Sequence, residues 1–172
     1  MDMKTLMKKA LSSRDIVFHA KTNLMTYNQL KEYTNLKSIL GPYKSCVILY
    51  ETRDGHGHWC VIFEVNKDRI EFFDPYGLMI DEQLRHISKS YKNKKGLNHT
   101  YLIKLIMNSN YKEIEYNNYP LQELKDGINT CGRHVLARLY NRDMTLDEYY
   151  DKIHESGYKP DIYVTLETKN IK

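Results

Sequence analysis

The stretch Ser45–Gly77, SCVILYETRDGHGHWCVIFEVNKDRIEFFDPYG, decides the fold. It opens on Cys46-Val47-Ile48-Leu49, an unbroken apolar run of the kind a strand shows when both of its faces are buried. Asp54-Gly55 and Gly57 mark a turn. Trp59–Val65 and Arg69–Phe73 are rich in β-branched and aromatic residues, and Asn66-Lys67-Asp68 joins them as a hairpin. Asp74-Pro75-Tyr76-Gly77 reads as a turn directly after the second arm.

Outward from this block the pattern turns helical. Lys4–Leu11 reads as a short helix with Leu6, Met7 and Leu11 on one side, and Thr26 with Gln29 forms a capping box ahead of Leu30 and Tyr33. Downstream, Leu84, Ile87 and Tyr91 fall at helical spacing and predict an amphipathic helix over 81–91. Tyr101–Met107 and Ile114–Tyr116 read as further strands. From Cys131, the residues Val135, Leu136, Leu139 and Tyr140 give an apolar helix, and Thr145 with Glu148 caps a last one that ends near Gly157. Lys159-Pro160 stops that segment and leaves Asp161–Leu166 open between strand and helical turn. Helices at both ends of a run of strands predict one α+β domain over 1–172, a central mixed β-sheet flanked by helices, rather than repeated βαβ units. The Cys131 helix is expected to pack centrally on that sheet.

Composition excludes several classes. A hydrophobic fraction of 41% and a charged fraction of 28% are those of an ordinary globular chain. A net charge of +4 falls short of a dedicated nucleic-acid binder. Lys89, Lys92, Lys94 and Lys95 form one basic cluster, read as a solvated helix end, with a contact to nucleic acid or an acidic partner as the sharper alternative. Cys46, Cys60 and Cys131 are too few and too widely spaced for a disulfide framework, which fits a reducing compartment. The start lacks the apolar core of a secretory signal, and no stretch approaches the roughly 18 apolar residues of a membrane helix. The expectation is a soluble, intracellular monomer without membrane contact.

The chemistry concentrates in Gly57-His58-Trp59, Phe73-Asp74-Pro75-Tyr76-Gly77, Gln122 and Asn129-Thr130-Cys131-Gly132. Cys131 stands where a loop gives way to a helix, whose N-terminus supplies free amide donors and partial positive charge that favour a thiolate. Gly132 lets a substrate carbonyl approach the backbone closely. If the arms 59–65 and 69–73 pair, their far ends bring His58 and Asp74 to one sheet edge, where a carboxylate can fix the imidazole tautomer. His56 is chemically as plausible a base on these grounds alone. Cys46 and Cys60 lie in apolar strands and read as core thiols. His134, one helical turn after Cys131, reads as a packing or surface residue. A zinc site from His56, His58, Cys60 and Cys131 is disfavoured because neither Cys-x-x-Cys nor His-Glu-x-x-His spacing occurs, so no metal and no cofactor is expected.

Taken in order, these segments resemble the adenain-like cysteine proteases, which share a fold with the proteases that process ubiquitin-like proteins. In that group a His-Trp pair precedes an acidic residue in a Phe-Asp/Glu-Pro/Ser-Phe/Tyr-Gly type turn, followed by a Gln and then by Cys-Gly at a helix start. Here those are His58-Trp59, Phe73–Gly77, Gln122 and Cys131-Gly132, and the match covers roughly residues 45 to 140. Asn129–His134 and Gly157-Tyr158-Lys159-Pro160-Asp161 resemble the versions carried by virophages and large DNA viruses. The resemblance implies a catalytic Cys131 nucleophile, His58 base, Asp74 orienter and Gln122 oxyanion donor, with Trp59 and Gly132 lining a narrow cleft that favours small residues. Gln122 stands further ahead of Cys131 than the family's usual spacing, as if 123–127 carried a small insertion, and Asn129 remains an alternative donor.

By the same resemblance the substrates are viral capsid or core precursors cut during virion maturation, in the virus factory of the host cytoplasm and in the virion. Some relatives answer to a DNA or peptide activator. Two rival readings stand beside this one. One is a deconjugating protease for ubiquitin or ubiquitin-like modifiers, and the other is a catalytically inactive virion or binding protein.

Overall fold

The computed structural model describes residues 1–171. Helices α1 (Met3–Lys8) and α2 (Ser13–His19) precede strand β1 (Asn23–Thr26), and α3 (Leu36–Leu40) leads into β2 (Ser45–Arg53), β3 (His56–Asn66) and β4 (Arg69–Phe73). The second half carries α4 (Lys89–Lys95), α5 (Tyr101–Met107), β5 (Glu113–Tyr116), α6 (Cys131–Tyr140), α7 (Leu146–Glu155) and α8 (Pro160–Glu167). Single 3-10 turns occupy Tyr27–Glu32 and Glu82–His86.

The strands form one five-stranded sheet in the order β1-β2-β3-β4-β5. The two outer pairings, β1 with β2 and β4 with β5, are parallel, and the two inner ones are antiparallel, so the sheet is mixed. The unbroken apolar run of β2 is explained by burial on both faces. Val47, Leu49, Val61, Phe63 and Phe73 face Val135, Leu136 and Leu139 of α6. Cys46, Ile48, Cys60, Ile62 and Phe72 face Leu30, Ile39, Leu102 and Ile106 on the other side. The alternation follows the two-residue period of a strand.

An ion pair fixes α6 on the sheet. Arg138 donates through Nε and Nη2 to the two carboxylate oxygens of Glu71, each at 2.8 Å, with both residues buried. Its guanidinium also lies 5.4 Å from the Phe63 ring and 5.0 Å from the Tyr149 ring. Two further N–H groups donate to the carbonyls of Asn141 and Met144, so every guanidinium nitrogen is hydrogen-bonded.

Two local expectations are corrected, and one left open is resolved. Tyr101–Met107 is the helix α5, not a strand; Leu102, Leu105 and Ile106 are its buried residues, a helical i, i+3, i+4 spacing. The amphipathic helix expected over 81–91 is split. Asp81 adopts φ 64, outside the helical region, and the Ser88 hydroxyl accepts from Tyr91 N to cap a new helix, α4. The Asp81 carboxylate instead bonds the Tyr50 hydroxyl and the Ile103 backbone N–H, each at 3.0 Å, and so braces the first turn of α5. The tail left open at 161–166 belongs to α8, which Pro160 begins at its first turn. Among the described residues no helix is long and apolar enough to cross a membrane.

Candidate active site

The β2–β3–β4 register builds the site. His58 pairs with Tyr50, and Val61 pairs with Phe73, so the hairpin's open end sets His58 beside Asp74, the first residue after β4. Gly57 permits this register: a Cβ there would lie 2.0 Å from the Tyr50 carbonyl oxygen. His58 Nε2 stands 2.7 Å from Asp74 Oδ1, and both residues are buried. Asp74 is itself held from three directions. Tyr76 N donates to Oδ1 at 2.7 Å, Asp74 N donates to Asn117 Oδ1 at 2.9 Å, and Asn117 Nδ2 donates back to the Asp74 carbonyl at 2.6 Å. The Tyr76 ring stacks on the imidazole, centroids 4.3 Å apart and planes 16° apart.

Cys131 is the first residue of α6 and meets the same imidazole. With Nε2 engaged by Asp74, Nδ1 is the nitrogen left for the thiol. Burial alone would push the Cys131 thiol up. The hydrogen bond and charge of His58, with the backbone N–H groups of Trp59 and Gly132, outweigh burial and lower it. For His58 burial disfavours the charged ring, yet Asp74 and Cys131 prevail and raise its pKa to about 9. The arrangement favours a thiolate–imidazolium pair over a neutral thiol and imidazole. Burial holds the other two thiols protonated, pushing Cys46 up to about 12 and Cys60 well above its usual range.

Gln122 is brought to the same place by the turn after β4. Leu121 N and Gln122 N both donate to the Pro75 carbonyl at 2.9 Å. The Gln122 side chain is buried, with Nε2 3.3 Å from Tyr76 Oη. Asn129 is committed elsewhere: its Nδ2 donates to the Lys8 carbonyl at 2.7 Å and its backbone N to Met7 at 2.8 Å. Both side chains line the cleft that holds Cys131, Gln122 buried within it and Asn129 exposed at the segment before α6. Trp59 lies on the opposite sheet face from His58, donating Nε1 to the Leu11 carbonyl at 3.1 Å. Gly132 is buried; a Cβ there would stand 3.0 Å from Leu11 Cβ and 3.4 Å from Trp59 Cδ1, so glycine lets those two close over the start of α6. A cleft of about 1100 Å³ opens over these residues, lined by Cys131, His58, Trp59, Tyr76 and Gln122 and walled in part by Leu11.

Sequence reasoning gave His134 no role in the site and Asp161 none beyond its place in the tail motif. Asp161 is buried in α8 and accepts from Glu123 N at 2.9 Å, from His134 Nε2 at 2.9 Å and from the Thr130 hydroxyl. It thus joins the residue after Gln122, the residue before Cys131, and α6. The spacing of Cys131 and His134, one helical turn, was the available signal, but nothing local identified the partner.

The side chains proposed for zinc do not assemble as a set. Among the described residues, His58, Cys60 and Asp74 bring ligand atoms within 4.8 Å of one another, while His56 is exposed and stays outside that group. The four lysines of the basic cluster all lie on α4, where Lys95 pairs with Asp54 at 2.8 Å.

No family model matches this sequence. The uncharacterized protein V9 of Sputnik virophage is 33% identical over 173 residues, an alignment spanning 97% of this chain and 98% of that relative. Among solved structures, the central domain of the uncharacterized Lpg1148 protein from Legionella pneumophila aligns with a TM-score of 0.41 at 11% identity, over 95% of this chain and 99% of that domain.

Proposed function

Because the chain belongs to the same family as protein V9 of Sputnik virophage, we propose that it is a viral cysteine endopeptidase of adenain-like fold that cleaves virion precursor proteins. One observation carries the reading. A buried imidazole bonded at 2.7 Å to a buried carboxylate meets a thiol at a helix N-terminus whose pKa is lowered despite burial. The core thiols shift the other way, Cys46 through burial and Cys60 through burial and the nearby Asp74 carboxylate.

In the proposed reaction the Cys131 thiolate adds to the scissile carbonyl carbon. The carbonyl oxygen becomes an oxyanion, met by the Cys131 backbone N–H and the Gln122 amide. Collapse breaks the C–N bond as the His58 imidazolium gives its proton to the leaving amine, leaving a thioester. Neutral His58 then takes a proton from water, the hydroxide attacks the thioester, and the carboxylic acid leaves as the thiolate re-forms. Asp74 holds the ring in one tautomer throughout.

The test is cleavage of virion precursor proteins and labelling by a thiol-directed peptide probe. Wild-type protein is expected to cut precursors and label only at Cys131, while Cys131→Ala does neither and stays folded. Cleavage of modifier fusions with precursors left intact would assign the deconjugating role instead. An unlabelled Cys131 at neutral pH would remove the enzyme reading altogether.

A further inference from the structure

We propose that Tyr76 is a positioning residue whose hydroxyl holds the Gln122 carboxamide so that one of its N–H bonds faces the oxyanion. The inference rests on the cysteine-protease reading above. It starts from the hydrogens on one nitrogen. A carboxamide nitrogen carries two, and one of them goes to Tyr76 Oη at 3.3 Å. The other is left for a substrate oxygen. The carbonyl end, Oε1, is buried and without a partner among the described residues. Tyr76 is therefore the contact that fixes rotation about the last side-chain torsion, a torsion that is intrinsically broad.

Tyr76 is well placed to impose that orientation because its turn is fixed at three points. Its ring stacks on His58, its backbone N–H donates to the oxygen of Asp74 that also takes His58 Nε2, and the neighbouring Pro75 carbonyl accepts from the backbone of Gln122. One turn thus sets the base, the carboxylate that orients it, and the oxyanion donor. The hydroxyl remains neutral at working pH, since burial pushes its pKa up to about 12. An oxyanion donor is effective when its direction is set before the charge develops, which is why loss of one such donor costs about 100- to 1000-fold in turnover. A donor still present but free to rotate loses part of that.

The experiment is Tyr76→Phe, which keeps the ring, the stack and the backbone N–H and removes one oxygen. On a peptide substrate, kcat is expected to fall about tenfold with KM within about twofold, and the same substitution in a Gln122→Ala background to lower kcat no further. A second readout does not depend on turnover. The side-chain amide resonances of Gln122 in the resting ¹⁵N-labelled protein, assigned by their loss in Gln122→Ala, are expected to move in Tyr76→Phe. Unmoved resonances in an active protease, or kcat losses that multiply in the double variant, overturn the role of Tyr76 alone. A wild-type protein that cleaves no peptide, whatever the amide does, refutes the protease reading and this role with it.

Discussion

His134 and Asp161 form a second buried imidazole–carboxylate pair, Nε2 to Oδ1 2.9 Å, one helical turn beyond Cys131. Its electrostatics run opposite to those of His58 and Asp74. Burial is the dominant influence on His134 and lowers its pKa, so the ring is neutral at pH 7. Asp161 stays ionised because the bonds from His134, Thr130 and the Glu123 backbone outweigh its own burial. The first pair is built to carry charge next to a thiol, and the second to tie α6, α8 and the 122–123 segment together.

Asp161→Asn removes the charge that three donors share. Hydrogen bonds to a charged group contribute roughly 1.5–3 kcal/mol each, not additively, so a loss of about 2–4 kcal/mol is expected in urea denaturation. The pH sign follows from both residues. His134 in the folded state lies below its usual 6.5 and Asp161 below its usual 3.8. Each binds fewer protons folded than unfolded, so their contribution is complete above about pH 6.5 and is lost as pH falls, His134 first. Urea midpoints of wild type and His134→Gln, taken from pH 7.5 to pH 4.5, are expected to converge on the acid side. Parallel curves would mean that His134 does not titrate with folding.

Much of this was legible in the sequence where local patterning and chain order agreed. Ser45–Phe73 carries period-2 burial and explicit turn residues, so its strands and the meeting of His58 with Asp74 followed from hairpin geometry. The mixed sheet flanked by helices followed from element order. Tyr101–Met107 was misread because tightly clustered apolar residues fit either period, and the deciding contact, Asp81 to Ile103 N, spans 22 residues. Asp161 lay outside local reasoning for the same cause. Its partners Thr130, His134 and Glu123 are distant in sequence and meet it only once α8 has packed.

The His58–Cys131 pair gives a pH signature of its own. His58 retains its proton up to about pH 9, and Cys131 releases its proton below the usual 9. Alone, the raised His58 would stabilise the fold below about pH 6.5 and lose that contribution as pH rises through about 9. Cys131 has the opposite sign: it is stabilising above the usual thiol value and loses that contribution as pH falls through its own lowered value. Where the two ranges overlap their proton counts cancel, so the pair leaves stability nearly flat there while alkylation of Cys131 is already fast. The iodoacetamide rate at Cys131 is expected to rise below pH 9 in wild type and to shift to higher pH in His58→Ala. His56→Ala, an exposed position outside the pair, is expected to leave the profile unchanged. Equal profiles for the two alanine variants would undo the choice of His58.

Arg138 tests how α6 is held. Leaving Glu71 buried without its guanidinium is expected to cost about 3–5 kcal/mol, since a lone buried charge loses both Coulomb attraction and solvation. Arg138→Met paired with Glu71→Leu is expected to recover most of that loss, because two apolar side chains leave no unpaired charge. Urea denaturation of the single and double variants decides it. A double variant as unstable as Arg138→Met alone would show that Arg138 chiefly serves the rings of Phe63 and Tyr149 and the carbonyls of Asn141 and Met144, rather than Glu71.

Gln122 and Asn129 are both candidate oxyanion donors, and their surroundings differ: Gln122 is buried and Asn129 exposed. Asn129 Nδ2 is spent on the Lys8 carbonyl at 2.7 Å, a tether between the segment before Cys131 and α1. That bond fixes the direction of the second Nδ2 hydrogen on an exposed side chain. Gln122 keeps one N–H free beside Tyr76. Gln122→Ala is therefore expected to lower kcat about 100- to 1000-fold with a small change in KM, the behaviour of a donor used only when the oxyanion forms. Asn129→Ala is expected to cost about 1 kcal/mol of stability for the lost hydrogen bond and to change kcat by less than about fivefold. Steady-state kinetics on one peptide substrate, with urea midpoints for both variants, checks the pair. A collapse of kcat in Asn129→Ala alone would reverse the assignment, with the second Nδ2 hydrogen of Asn129 as the donor.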